Sequence, residues 1–103
     1  MKSAQRVLIT GAGSGLGQAL AHRFAANGAQ VACIDIQFER LEATLATLSG
    51  SGHTAFAADV SNDDSMQAMA DAVLAEWGVP DVLINNAGIA SGGDVLEAPI
   101  SEW

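Results

Sequence analysis

Val7-Leu8-Ile9-Thr10-Gly11-Ala12-Gly13-Ser14-Gly15-Leu16-Gly17 is the stretch on which the reading of this chain turns. Val7-Leu8-Ile9 is an uninterrupted apolar run, the pattern of a parallel strand buried on both faces. Leu16, Leu20 and Phe24 then recur at helical spacing among alanines. A glycine-rich turn therefore joins a strand to a helix. The N-terminus of a helix presents unpaired N–H groups and partial positive charge, which suit a phosphate. Glycine lets such a turn be tight, lets a diphosphate approach the backbone and lets the helix pack close to the strand.

Working outward, the chain alternates strand and helix with no repeat, linker or low-complexity tract. The spacing predicts a first strand at about Arg6 to Thr10 and a helix from about Ser14 to Asn27, ended by Gly28. A second strand follows over Gln30 to Ile36. The next helix runs from about Phe38 to Leu48 with Leu41, Leu45 and Leu48 on one face. A short third strand covers Thr54 to Ala57. The third helix opens at Ser61, a capping residue, with Asp63 and Asp64 in its first turn. Its buried stripe is Met66, Met69, Val73 and Trp77, and Gly78 ends it. A fourth strand spans Asp81 to Asn85. A glycine-rich loop from Ala87 to Glu97 and the first turn of a fourth helix from Pro99 to Trp103 complete the reading.

Such alternation, with near-continuous apolar strands, means an α/β fold. The expected form is a Rossmann-like doubly wound parallel sheet covered by helices, in part. Right-handed crossovers give an expected strand order of 3-2-1-4. Ligands of such sheets bind at the carboxyl ends of the strands, beside the switch point between strands one and four.

Composition narrows the function classes. The chain has 103 residues, enough for one small domain with a single core. The formal charge of −8, from 12 acidic and 4 basic side chains, argues against a nucleic-acid partner and an anionic membrane surface. No apolar run approaches the roughly 20 residues of a membrane span. Met1-Lys2-Ser3-Ala4-Gln5-Arg6 and the three apolar residues after it do not form a signal peptide. The expected location is therefore cytoplasmic. The single cysteine, Cys33, allows neither an internal disulfide nor a metal cluster. It sits inside an apolar strand, as a core residue would. His22 on a helix flank and His53 in a Gly/Ser turn read as surface residues, and no metal ligands are expected.

Each strand ends in residues suited to a nucleotide. Asp35, with Ile36 beside it, ends strand two, 20 residues after Gly15. A carboxylate there accepts hydrogen bonds from both hydroxyls of an adenosine ribose and repels a 2′-phosphate. No Arg or Lys lies in the glycine turn or at positions 36 to 38, so the sequence favours NAD over NADP. Asp59 and Val60 follow strand three. The carboxylate suits an adenine amino group and Val60 the ring, although Asp59 also fits simple turn chemistry before Ser61. Asn85-Asn86-Ala87-Gly88 ends strand four, where small residues leave room for a cofactor to cross the switch point.

These motifs together resemble the short-chain dehydrogenase/reductase family. Thr10 to Gly17 is similar to its TGxxxGxG motif, and Asn85-Asn86-Ala87-Gly88 matches its NNAG motif. The resemblance covers nearly all of the chain. It implies NAD(P)-dependent oxidoreduction of an alcohol or carbonyl. By that resemblance Gly11, Gly15 and Gly17 shape the turn, and Ser14 and Leu16 lie at the diphosphate. Asn86 contacts the nicotinamide-side ribose, and Asn85 ties the central strands together.

The family's chemistry is carried by a Ser and a Tyr-x-x-x-Lys pair downstream of NNAG. This sequence has no tyrosine, and its one lysine is Lys2. The expectation for residues 1–103 is thus an N-terminal NAD-binding Rossmann portion with the catalytic half absent and no catalytic residue of its own. Two other readings stand beside it. One is a methyltransferase of the same fold class, whose usual acidic or amide residue followed by prolines after strand four is not matched by Asn85 to Gly88. The other is a non-catalytic binding or regulatory module that self-associates through an open strand-four edge.

Overall fold

The computed structural model describes residues 4–13 and 15–86 and the backbone of residues 96–98. The described elements are, in chain order, β1 (Arg6–Thr10), α1 (Gly15–Ala26), β2 (Gln30–Asp35), α2 (Phe38–Thr47), β3 (Thr54–Ala57), α3 (Asp63–Glu76), β4 (Val82–Asn85) and β5 (Leu96–Ala98). They form one sheet in the order β3-β2-β1-β4-β5. The expected 3-2-1-4 order is therefore present, with parallel pairing throughout those four strands.

The apolar run of β1 is continuous because the strand is covered on both sides. Val7 and Ile9 face one core with Val31, Cys33 and Ile84, against Ala21 and Ala25 of α1 and Leu41 of α2. Leu8 faces the other with Ala32 and Ile34, against Met69 and Val73 of α3. Val7, Leu8 and Ile9 are all fully buried. Burying each such side chain stabilises the fold by about 1.5–3 kcal/mol. At the amino ends of the strands, Arg6 N–H donates to Asp81 Oδ2 at 2.8 Å, and the Arg6 guanidinium lies 5.9 Å from the Trp77 ring centroid. Helix α1 closes as expected at Gly28, whose N–H donates to Ala25 O while Ala29 N–H donates to Phe24 O.

Three expectations are corrected, on the cap of α3, the edge of β4 and His53. Within α1 the buried row is Gly17, Ala21 and Ala25, while Leu16 is 47% exposed. Small residues at that spacing let the helix axis approach the sheet, and Leu20 and Phe24 pack at the flank. The N-cap of α3 is Asn62, whose side chain accepts from Ser65 N–H at 2.9 Å, and not Ser61. The Ser61 hydroxyl is instead donated to Asp59 Oδ1 at 2.6 Å. The edge of β4 is not open, because β5 pairs with it antiparallel, Ile84 opposite Glu97. A three-residue strand after a glycine-rich stretch carries no period by which to recognise it. Finally, His53 is half-buried and structural: its Nδ1 accepts from Val31 N–H at 3.0 Å. It caps β2 one residue before the pairing with β3 begins at Ala32.

Ser14, Ala87 and Gly88, most of the Ala87 to Glu97 loop and the Pro99 to Trp103 turn lie outside the described residues. Among the described residues no helix is long and apolar enough to cross a membrane.

Candidate cofactor-binding site

The carboxyl ends of β1, β2 and β3 meet in a cleft of about 190 Å³ lined by Gly11, Asp35, Ile36, Ala58, Asp59 and Val60. Five of these six are candidates named from the sequence. Ala58 was not, since a small apolar residue before an aspartate carries no signal of its own. The volume is below the roughly 300 Å³ of a pocket that encloses a whole small ligand. It therefore suits one end of an extended one.

The glycine turn leaves β1 and is held to its neighbours by backbone bonds. Ala12 N–H donates to Ile34 O of β2 at 3.0 Å, and Gly13 N–H donates to Asp35 Oδ2 at 3.0 Å. From α2, the buried Thr44 hydroxyl donates to Ala12 O at 3.0 Å. Thr44 was missed from the sequence because it sits among the leucines of an amphipathic helix, where a threonine has no pattern of its own. Gly15 opens α1 with φ 56°, a left-handed conformation that favours glycine. At Gly17 the constraint is space: a Cβ there would collide with the Gly11 carbonyl and lie 2.8 Å from Asn86 Nδ2. The first turn of α1 thus lies directly on the turn it follows. Leu16 projects from that turn, half in solvent.

Asp35 is half-buried at the end of β2. Its Oδ2 takes the Gly13 N–H and its Oδ1 the Gln37 N–H at 3.2 Å, which leaves further lone pairs toward the cleft. Asp59 lies just beyond β3, which ends at Ala57, the register partner of Asp35. Its Oδ1 accepts from both Ser61 N–H at 2.9 Å and Ser61 Oγ, while its own N–H donates to Ser65 Oγ at 2.9 Å. The two Ser61 bonds, the side-chain one first, hold the Asp59 carboxyl below its ordinary range. The turn chemistry weighed from the sequence is therefore real, and it uses Oδ1 alone. Ile36, 62% exposed, and Val60 stand at the rim and offer apolar faces to a planar ring.

On the other side of the switch point, Thr10 Oγ1 donates to Asn85 Oδ1 at 3.1 Å, tying β1 to β4. Asn86 Nδ2 donates to Gly11 O at 3.4 Å and so rests against the turn. A larger groove of about 510 Å³ runs along α3 and β4, lined by Thr10, Asp63, Met66, Gln67, Ala70, Leu83 and Asn85. It includes no residue of the glycine turn and no carboxylate of β2 or β3, so the smaller cleft is the better candidate for a nucleotide. Cys33 is fully buried, and burial pushes its thiol up to about 12, which makes it a core residue and not a nucleophile.

The short chain dehydrogenase family matches residues 5–103. The chain is 44% identical over 98 residues to the D-threitol dehydrogenase of Mycolicibacterium smegmatis, covering 93% of this chain and 38% of that protein. Among solved structures, it superposes on a short chain dehydrogenase/reductase from Burkholderia phymatum in complex with NAD at a TM-score of 0.72. The identity is 36%, over 78% of this chain and 29% of the other. It also superposes on an actinorhodin polyketide ketoreductase variant with NADPH at a TM-score of 0.78 and 34% identity, over 88% of this chain and 36% of the other. The chain thus spans between 29% and 38% of the length of these three proteins. By sequence over almost its full length, and by a sheet whose strand order agrees with that match, the chain belongs to the short-chain dehydrogenase family.

Proposed function

We propose that this chain binds NAD and forms the cofactor-binding portion of a longer short-chain dehydrogenase. That enzyme would act on an alcohol or carbonyl substrate by hydride transfer. The observation that carries the reading is the convergence of Gly11, Asp35, Ile36, Asp59 and Val60 on one cleft at the strand ends. In this reading the adenine lies between Ile36 and Val60, with its amino group donating to Asp59. Asp35 accepts from the ribose hydroxyls and repels a 2′-phosphate. Ser14, together with Gly15 and Leu16 of the first turn of α1, takes the diphosphate, and Gly11 and Gly17 let backbone and helix come close enough for this. Asn86 contacts the nicotinamide-side ribose, and the small residues Ala87 and Gly88 leave room for the cofactor to cross the switch point.

When bound, NAD supplies the hydride acceptor. The residues of this chain bind and orient it, but carbonyl reduction also needs a proton donor to the developing alkoxide. The family's lysine-tuned tyrosine has no counterpart here, because the chain has no tyrosine and its one lysine is Lys2. The 103-residue chain alone therefore binds the cofactor without turnover.

Calorimetric titration with NADH and NADPH tests this. NADH binding with weak or absent NADPH binding is the expected result, together with no alcohol-dependent NAD reduction above background. A folded chain that prefers NADPH would overturn the cofactor choice.

A further inference from the structure

Gly13 differs from the glycines on either side of it in the turn. Gly11 and Gly15 have φ of 67° and 56°, whereas Gly13 has no positive φ, so its backbone would accept an L side chain. Space forbids one. A Cβ at Gly13 would lie 2.8 Å from Asp35 Oδ2 and 2.7 Å from Arg40 Cβ. The Arg40 atom is fixed to the first part of α2 and cannot yield, while the Asp35 carboxylate can only swing away. The same residue donates its N–H to Asp35 Oδ2 at 3.0 Å. Gln37 N–H holds Oδ1 from the far side at 3.2 Å. The carboxylate is therefore seated on bare backbone, in a two-bond cradle that exists because residue 13 carries no side chain.

We propose that Gly13 is a positioning residue for cofactor choice, acting through Asp35. The inference rests on the reading of Asp35 as the ribose contact. A carboxylate free to rotate would turn aside and let a 2′-phosphate in. One held at both oxygens keeps its charge, and its remaining lone pairs, facing the ribose. Selection against NADPH then depends on a glycine as well as on the acid.

The test compares NADH and NADPH affinities of the wild-type chain, Gly13→Ala, Asp35→Asn and the double variant by calorimetry. Gly13→Ala is expected to lower the NADH preference about tenfold, the value of one charge-assisted hydrogen bond. Adding Gly13→Ala to Asp35→Asn is expected to change that preference by no more than about twofold, because the residue acts through the carboxylate. A folded Gly13→Ala chain that keeps the wild-type preference, or weakens for both cofactors equally, overturns the proposal. The wild-type titrations alone judge the proposed function. A second readout needs neither cofactor nor a folded Gly13→Ala chain. The Gly13 amide proton resonance should move upfield in Asp35→Asn, where its charged acceptor is lost. An unmoved Gly13 amide overturns the assignment even if the wild type binds neither nucleotide.

Discussion

The hydroxyl of Thr44, in the middle of α2, donates to the carbonyl oxygen of Ala12, in the glycine turn, and both residues are fully buried. One side chain thus connects the helix that follows Asp35 to the loop that Asp35 also contacts. Thr44 Oγ1 donates to Arg40 O as well, so the bond is shared, but the full burial of Ala12 keeps solvent from taking its place. Thr44→Val keeps the shape and removes the donor. It is expected to cost about 1–3 kcal/mol, the penalty of a buried unsatisfied polar group. Urea unfolding of the two chains measures it, and an unchanged midpoint would mean that the bond contributes nothing.

Gly17→Ala sets two effects against each other. Helix propensity favours alanine over glycine by about 1 kcal/mol. Against that, the new methyl meets the Gly11 carbonyl, which is backbone and cannot rotate away. Overpacking of this kind costs about 1–3 kcal/mol, so the variant is expected to be less stable than wild type despite the better helix former. Thermal unfolding decides it: a raised Tm would show that the turn yields easily.

The Asp59 carboxyl is held below its ordinary range by Ser61, first through the hydroxyl and then through the backbone N–H. A folded-state pKa that is depressed gives stability that is fully present above the ordinary carboxylate range. That stability is lost as pH falls through the folded value. Ser61→Ala removes the larger cause, so the Asp59 pKa should rise toward its ordinary value while remaining below it. A carbon-detected NMR titration of the side-chain carboxyl reads this directly, and an unchanged titration would rule out the hydroxyl as the cause.

His53 stands where a strand carbonyl would. Its Nδ1 accepts the Val31 N–H, which requires the ring proton on Nε2, and that nitrogen lies 2.6 Å from Ser49 O. His53→Leu leaves the Val31 N–H without an acceptor and is expected to cost about 1–3 kcal/mol. His53→Gln, which restores an acceptor oxygen, should recover part of it. Hydrogen exchange at Val31 is the measurement, with faster exchange expected in His53→Leu than in His53→Gln.

The central architecture was legible in the sequence because burial on both faces leaves no polar residue in Val7-Leu8-Ile9, and because Asp35 ends its strand and Asp59 follows the next one at a turn. What escaped was set by partners distant in sequence. Leu16 fits the helical period as well as Gly17 does, and only the sheet's closeness selects the row of small residues for burial. Ser61 and Asn62 are equally good caps by residue type. Asp59, by taking the Ser61 hydroxyl, decides between them. His53 lies in a turn of glycine and serine, and its role depends on Val31, 22 residues away. The short β5 has no period to read and exists through its pairing with β4.

Cys33 is the chain's one cysteine, fully buried in the middle of β2 between Ile9 on β1 and Ala55 on β3. With its thiol pushed up to about 12, it is both shielded and protonated at neutral pH. A thiol reagent can therefore reach it only when the central strands part, so the sequence contains a single-site clock for opening of the sheet. A ligand that binds only the closed form slows that clock in proportion to its saturation. The rate of Cys33 labelling against nucleotide concentration would then report affinity without any label being added at the site itself.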